Sequence, residues 1–191
     1  MNQPVLQIIV GSTRSGRKGP AVAEWVERAA VEHGGFAVEL VDLAQVDLPL
    51  LDEPDHPRFG RYTHESTRRW SETVQRADAF VFVVPEYNHS FNAATKNALD
   101  HLHAEWAHKP VGTVTYGGVS GGVRAMEALR PVFSGLRMVV VNDAVNIPFF
   151  ATQIDDDGAF HPSEVSEQAA KAMLDELVRY TEATHPLRHA S

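Results

Sequence analysis

Residues 79–100 read AFVFVVPEYNHSFNAATKNALD. The apolar run at 79–84 is short, β-branched and aromatic, which predicts a buried strand. Pro85 stops that strand, and Glu86, Tyr87 and Asn88 then crowd an acid, an aromatic and an amide into one turn. A helical pattern resumes at Ala93, so the turn lies at the carboxyl end of a sheet strand, where open α/β sheets bind their ligands. The three side chains suit the edge of a flat polar ring.

The same strand, loop and helix sequence repeats on either side. Apolar runs predict strands at 5–10, 36–43, 79–84, 111–116 and 138–141. Amphipathic stretches predict helices at 20–33, 63–76, 93–105, 123–136 and 163–184. This alternation implies an α/β fold: a doubly wound, five-stranded parallel sheet with helices on both faces and right-handed crossovers. The natural strand order is 2-1-3-4-5, which places the switch point between the first and third strands. The loops after Val10 and Val84 should then face one crevice. Residues 44–62 form the long irregular connection, interrupted by Pro49, Pro54 and Pro57.

Composition narrows the function class. With 191 residues, 43% of them hydrophobic, the chain reads as a single domain over 1–191. No apolar run reaches the length of a membrane span, and the N-terminus enters a strand directly, so a cytoplasmic location is expected. The absence of cysteine excludes disulfides, thiolate metal sites and a cysteine nucleophile, so redox chemistry would have to come from a cofactor. A net charge of −8 argues against nucleic acid or an anionic membrane as partner.

The loop after the first strand is GSTRSGRKG, residues 11–19. Hydroxyls, backbone amides, two guanidiniums and an ammonium converge there on a helix N-terminus, which favours an anion. The sequence matches neither GxGxxG nor a Walker A loop, because Arg17 separates Gly16 from Lys18 and Gly19 follows. A terminal monophosphate fits better. The alternative is a tight turn with solvated basic residues, for which two arginines and a lysine serve no purpose. A third loop, YGGVSGG at 116–122, follows the fourth strand and offers backbone donors without side-chain bulk. Read alone it could equally be a flexible connector; its position beside the other two loops favours a ligand.

Together GSTRSGRKG, PEYNHSFNAATKNALD and YGGVSGGVRA resemble the NADPH-dependent FMN reductase family, from the first strand to the last helix. The resemblance implies a flavodoxin-like fold, bound FMN and NAD(P)H as co-substrate. It places the phosphate on Ser12, Arg14, Gly16 and Arg17, with Thr13 and Ser15 nearby. The flavin ring would meet Pro85, Glu86, Tyr87 and Asn88 on one side and Gly117, Gly118 and Ser120 on the other. No side chain need act as acid or base, because FMN carries the chemistry. The implied cycle is ping-pong, from NAD(P)H to FMN and on to a small acceptor: a quinone, azo compound, metal oxyanion or oxygen. Tyr87 is left between ring contact and packing, and Glu86 is expected to orient a neighbouring cation. Where the family commonly has proline and leucine, this chain has Asn92 and Thr95, a change expected to act at the entrance or a subunit contact.

The rival reading is a flavodoxin-like carrier or redox sensor that binds FMN without turning over NAD(P)H. Another is a phosphate-ligand binding protein without flavin. A homodimer or dimer of dimers is expected, with Tyr62, Trp70, Trp106 and the 44–62 connection as interface material. Residues 153–164 imitate a calcium loop but start with Gln153 and lack an entering helix, so Asp157-Gly158 is read as a hairpin turn. His101, His103 and His108 do not share a helix face and are read as helix-end partners. No metal is expected.

Overall fold

A computed structural model describes residues 3–188. Its parallel strands are β1 (Val5–Val10), β2 (Ala37–Asp42), β3 (Ala79–Pro85), β4 (Pro110–Tyr116), β5 (Val139–Val140) and β6 (Val145–Ile147). The order is β2-β1-β3-β4-β5, with β6 also paired to β4, the flavodoxin-like arrangement expected. The helices are α1 (Gly19–His33), α2 (Leu43–Val46), α3 (Glu65–Gln75), α4 (Ala93–Asp100), α5 (Val123–Gly135) and α6 (Glu164–Arg188).

The central strands read as unbroken apolar runs because both faces are covered. Ala79, Val81 and Val83 of β3 face a core shared with α1 and α6. Phe80, Phe82 and Val84 alternate to the other face, against α3, α4 and α5. Among the described residues no helix is long and apolar enough to cross a membrane.

Three boundaries depart from the sequence reading. The expected strand at 138–141 continues the sheet edge in two pieces, because the Asp143 N–H leaves the ladder for the Glu176 carboxylate of α6 at 2.9 Å. The helix expected to reach residue 105 stops at Asp100. There the His101 ring donates from Nδ1 to the Asn97 carbonyl at 2.8 Å, so the proton sits on that nitrogen. The Glu105 carboxylate accepts from the His103 N–H, and residues 104–106 form a separate tight turn. The last helix runs on to Arg188, whose guanidinium reaches the Asp78 carbonyl and carboxylate.

Trp70 and Trp106 are core residues, 1% and 0% exposed, which removes them as interface material. Their rings meet edge-on at 6.0 Å, and each indole N–H donates to an α4 carbonyl, Ala98 or Leu99. Tyr62 is likewise committed inward, donating to Glu105 at 2.7 Å. The Asp157-Gly158 turn forms as expected, with Gly158 at φ 86 and Ile154 bridging Phe160. The Asp155 carboxylate there is taken by His161 and the Ala159 N–H.

Candidate functional site

The loop from β1 to α1 begins as sheet, with the Gly11 N–H donating to the Val83 carbonyl at 2.9 Å. From there the N–H groups of residues 12–16 meet no acceptor among the described residues, and the turn closes only where Arg17 N–H reaches the Arg14 carbonyl. Helix α1 adds to this row of donors. Its N-cap, Lys18, supplies no side-chain hydrogen bond, and its first turn carries no acidic residue. The helix end therefore keeps its orphan donors and partial positive charge. Ser12 is 1% exposed, and its hydroxyl lies against that of Tyr116. A Cβ at Gly19 would fall 2.2 Å from Ser12 Oγ and 2.6 Å from the Tyr116 hydroxyl, so only glycine leaves this cradle open. These are the donors that a phosphate needs.

The loop is held from both flanks. On the β2 side, Arg17 pairs with both Asp42 carboxylate oxygens and donates to the Ser12 carbonyl. On the α4 side, buried Asn92 donates to the Gly11 carbonyl at 2.6 Å, and the Thr95 hydroxyl fixes Asn92 Oδ1. This corrects the expectation for Asn92 and Thr95: they are buried beneath the β1–α1 loop, not placed at an entrance or a subunit contact. Arg14 and Lys18 are exposed and form no ion pair among the described residues.

Opposite this loop, the Glu86 N–H donates to the Tyr116 carbonyl and carries the sheet one step past Pro85. The Glu86 carboxylate accepts from the Arg124 side chain at 2.9 Å and its backbone N–H at 3.2 Å. Desolvation works to raise its pKa, but those bonds and the Ser120 hydroxyl outweigh it and hold Glu86 below the usual carboxylate range. Glu86 thus orients a cation, as expected. Tyr87 pairs with Ser90 around a turn in which Asn88 and His89 take φ of 50° and 67°. The third loop turns at Gly121 and Gly122, both at positive φ. It is pinned by Ile147 and Phe149, whose N–H groups donate to Gly121 and Gly118.

A cleft of about 110 Å³ joins the three loops. Arg14 and Arg17 line it from the first, Pro85, Glu86 and Tyr87 from the second, and Tyr116 and Gly117 from the third. Burial pushes the Tyr116 phenol up to about 12, so it stays a neutral donor. Phe150, which the sequence reading missed, closes the cleft with its ring 4.8 Å from Tyr116. Thr13 lines a separate hollow with Leu43 and Ala98, and Ser15 and Asn88 stand at exposed loop tips.

A model of the family described as NADPH-dependent FMN reductase matches residues 5–152. The chain belongs to that family. The family is one of oxidoreductases working with FMN and NADPH. An NAD(P)H-dependent FMN reductase of Schizosaccharomyces pombe is 43% identical over 139 residues, covering 72% of this chain and 69% of the relative. An FMN-dependent NADPH-azoreductase of Staphylococcus saprophyticus is 29% identical over 95% of this chain and 97% of the relative. The solved structure of FerB, an NAD(P)H:acceptor oxidoreductase of Paracoccus denitrificans, superposes with a TM-score of 0.74. It covers 94% of this chain and 98% of FerB at 22% identity, a likeness of fold.

Proposed function

We propose that the chain binds FMN across the three loops and passes reducing equivalents from NAD(P)H to a small acceptor by a ping-pong cycle. Acceptors of the quinone and azo class fit first, with metal oxyanions and oxygen as further candidates. The observation that carries the reading is the row of N–H groups at residues 12–16 that meet no acceptor among the described residues. They lie at an uncapped helix start beside a cleft walled by Pro85–Tyr87 and Gly117. A ligand with one phosphate and one flat polar ring matches both ends.

FMN, when bound, supplies the hydride chemistry. Residues 12–16 would hold its phosphate, with exposed Arg14 as a further cation. Pro85, Tyr87 and Phe150 exclude water from the ring site; Gly117, its N–H taken by the Ile147 carbonyl at 3.3 Å, lines the cleft, while the N–H groups of Gly118 and Ser120 offer donors to a polar ring edge. Glu86 keeps Arg124 in place and transfers no proton. We read 1–191 as one FMN-binding domain and as a homodimer or dimer of dimers. The connection at 44–62 remains as interface material, since Leu50 and Phe59 on it are 79% and 51% exposed.

The test is to load purified protein with FMN, add NADPH and a small quinone, and follow NADPH loss. Sustained loss is expected. An electron carrier would hold FMN and show no turnover, and a protein that refuses FMN would sink both readings. Light scattering that returns a monomer would remove the dimer.

A further inference from the structure

Asp42 ends β2 and stands outside the cleft, yet it is built into the phosphate loop. Arg17 Nη1 and Nη2 meet Asp42 Oδ1 and Oδ2 at 2.5 Å each, a two-pronged pair whose side chains are only 19% and 11% exposed. The same Nη1 donates to the Ser12 carbonyl at 2.7 Å. Asp42 Oδ1 also caps α2 by accepting from the Ala44 N–H at 3.0 Å. The carboxylate therefore ties β2, α2 and the peptide of Ser12 into one rigid unit. Planar guanidinium and carboxylate groups that bond in parallel fix direction as well as distance. Orienting the Ser12 carbonyl orients the peptide plane it shares with the Thr13 N–H and, through the planes that follow, the N–H groups of residues 13–16, which meet no acceptor among the described residues.

We propose that Asp42 is a positioning residue for the phosphate loop, acting through Arg17, so that affinity for the phosphate end of the flavin depends on a carboxylate that does not touch it. This rests on the FMN reading above. Direct electrostatics makes the opposite prediction: a negative charge near an anion site repels the anion, so removing it should tighten binding. The sign of the effect separates the two.

The experiment titrates apoprotein with FMN and, in parallel, with riboflavin, which lacks the phosphate. It uses wild type, Asp42→Asn, Asp42→Glu, Arg17→Met and the Arg17→Met/Asp42→Asn pair. Asparagine caps helices as well as aspartate does, so Asp42→Asn keeps the start of α2 and breaks only the ion pair. FMN affinity should fall at least about tenfold in Asp42→Asn, the loss expected for one charge-assisted hydrogen bond. Riboflavin affinity should stay within about twofold, Asp42→Glu should recover part of the loss, and the double variant should bind FMN no worse than Arg17→Met alone. Tighter FMN binding in Asp42→Asn, or equal losses for both flavins, would overturn the positioning role alone. Wild-type protein that binds neither flavin would overturn the FMN reading, and this role with it.

Discussion

The side-chain amide of Asn92 donates to the Gly11 carbonyl at 2.6 Å, joining the start of α4 to the end of β1 across 81 residues of sequence. The bond is buried and Thr95 completes it, so Asn92→Ala leaves a buried carbonyl unpaired. We expect a stability loss of about 1–3 kcal/mol. Thermal melting of the apoprotein should show it as a fall of roughly 2–4 °C per kcal/mol. An unchanged melting temperature would mean that the latch contributes nothing.

The third loop offers a pair of glycines with opposite expectations. Among the described residues no atom lies within 4 Å of a Cβ added at Gly118, and its φ is not positive, so Gly118→Ala should leave stability within about 0.5 kcal/mol. Gly122 sits at φ 89, where a Cβ would meet the Tyr116 N at 2.7 Å. Gly122→Ala should cost more than about 2 kcal/mol in chemical denaturation. Equal costs at the two sites would contradict the loop geometry.

Lys109 gives the fold a pH dependence in the alkaline range. It is buried, donates to the Val74 and Gln75 carbonyls at the end of α3, and is pushed from 10.5 down to about 8 by burial and by nearby Arg188. Because the folded value lies below the unfolded one, the unfolded chain holds more protons between about 8 and 10.5, and stability rises with pH there. Relative to Lys109→Met, the wild type should gain about 3 kcal/mol between pH 7 and pH 11. Urea unfolding of both proteins across that range checks this, and parallel profiles would refute it.

Glu86→Gln tests whether the ring wall contains an acid or base. The carboxylate is engaged by Arg124 and Ser120, so kcat with a quinone should fall less than about tenfold. A general acid or base would be worth about 100-fold or more. A loss of that size, with a pH profile shifted to match, would place Glu86 in the chemistry.

The parts legible in the sequence were those set by local pattern. β1, β3 and β4 are covered on both faces and so read as apolar runs, and the strand order followed from their alternation with helices. The loop at 11–19 stood out as a candidate anion site because its residue types have one shared chemical use. What escaped depends on partners far away in sequence. Glu176 on α6 breaks the last strand, Asp42 claims Arg17, and Asn92 reaches back to Gly11. Trp70 was misread because a tryptophan on a helical pattern looks the same whether its stripe meets a sheet or a second subunit, and Trp106, just past the expected helix, carries no pattern that aims it at the core. Phe150 follows a break at Pro148 and carries no pattern that aims it at Tyr116.

The proposed ping-pong cycle is tested most directly by the separability of its two half-reactions. FMN-loaded protein mixed without oxygen with one equivalent of NADPH should lose its flavin colour before any acceptor is present. Addition of a quinone should restore the colour after the oxidised nicotinamide has been removed. Colour that persists with NADPH alone, or bleaches only when both substrates are present, would contradict it.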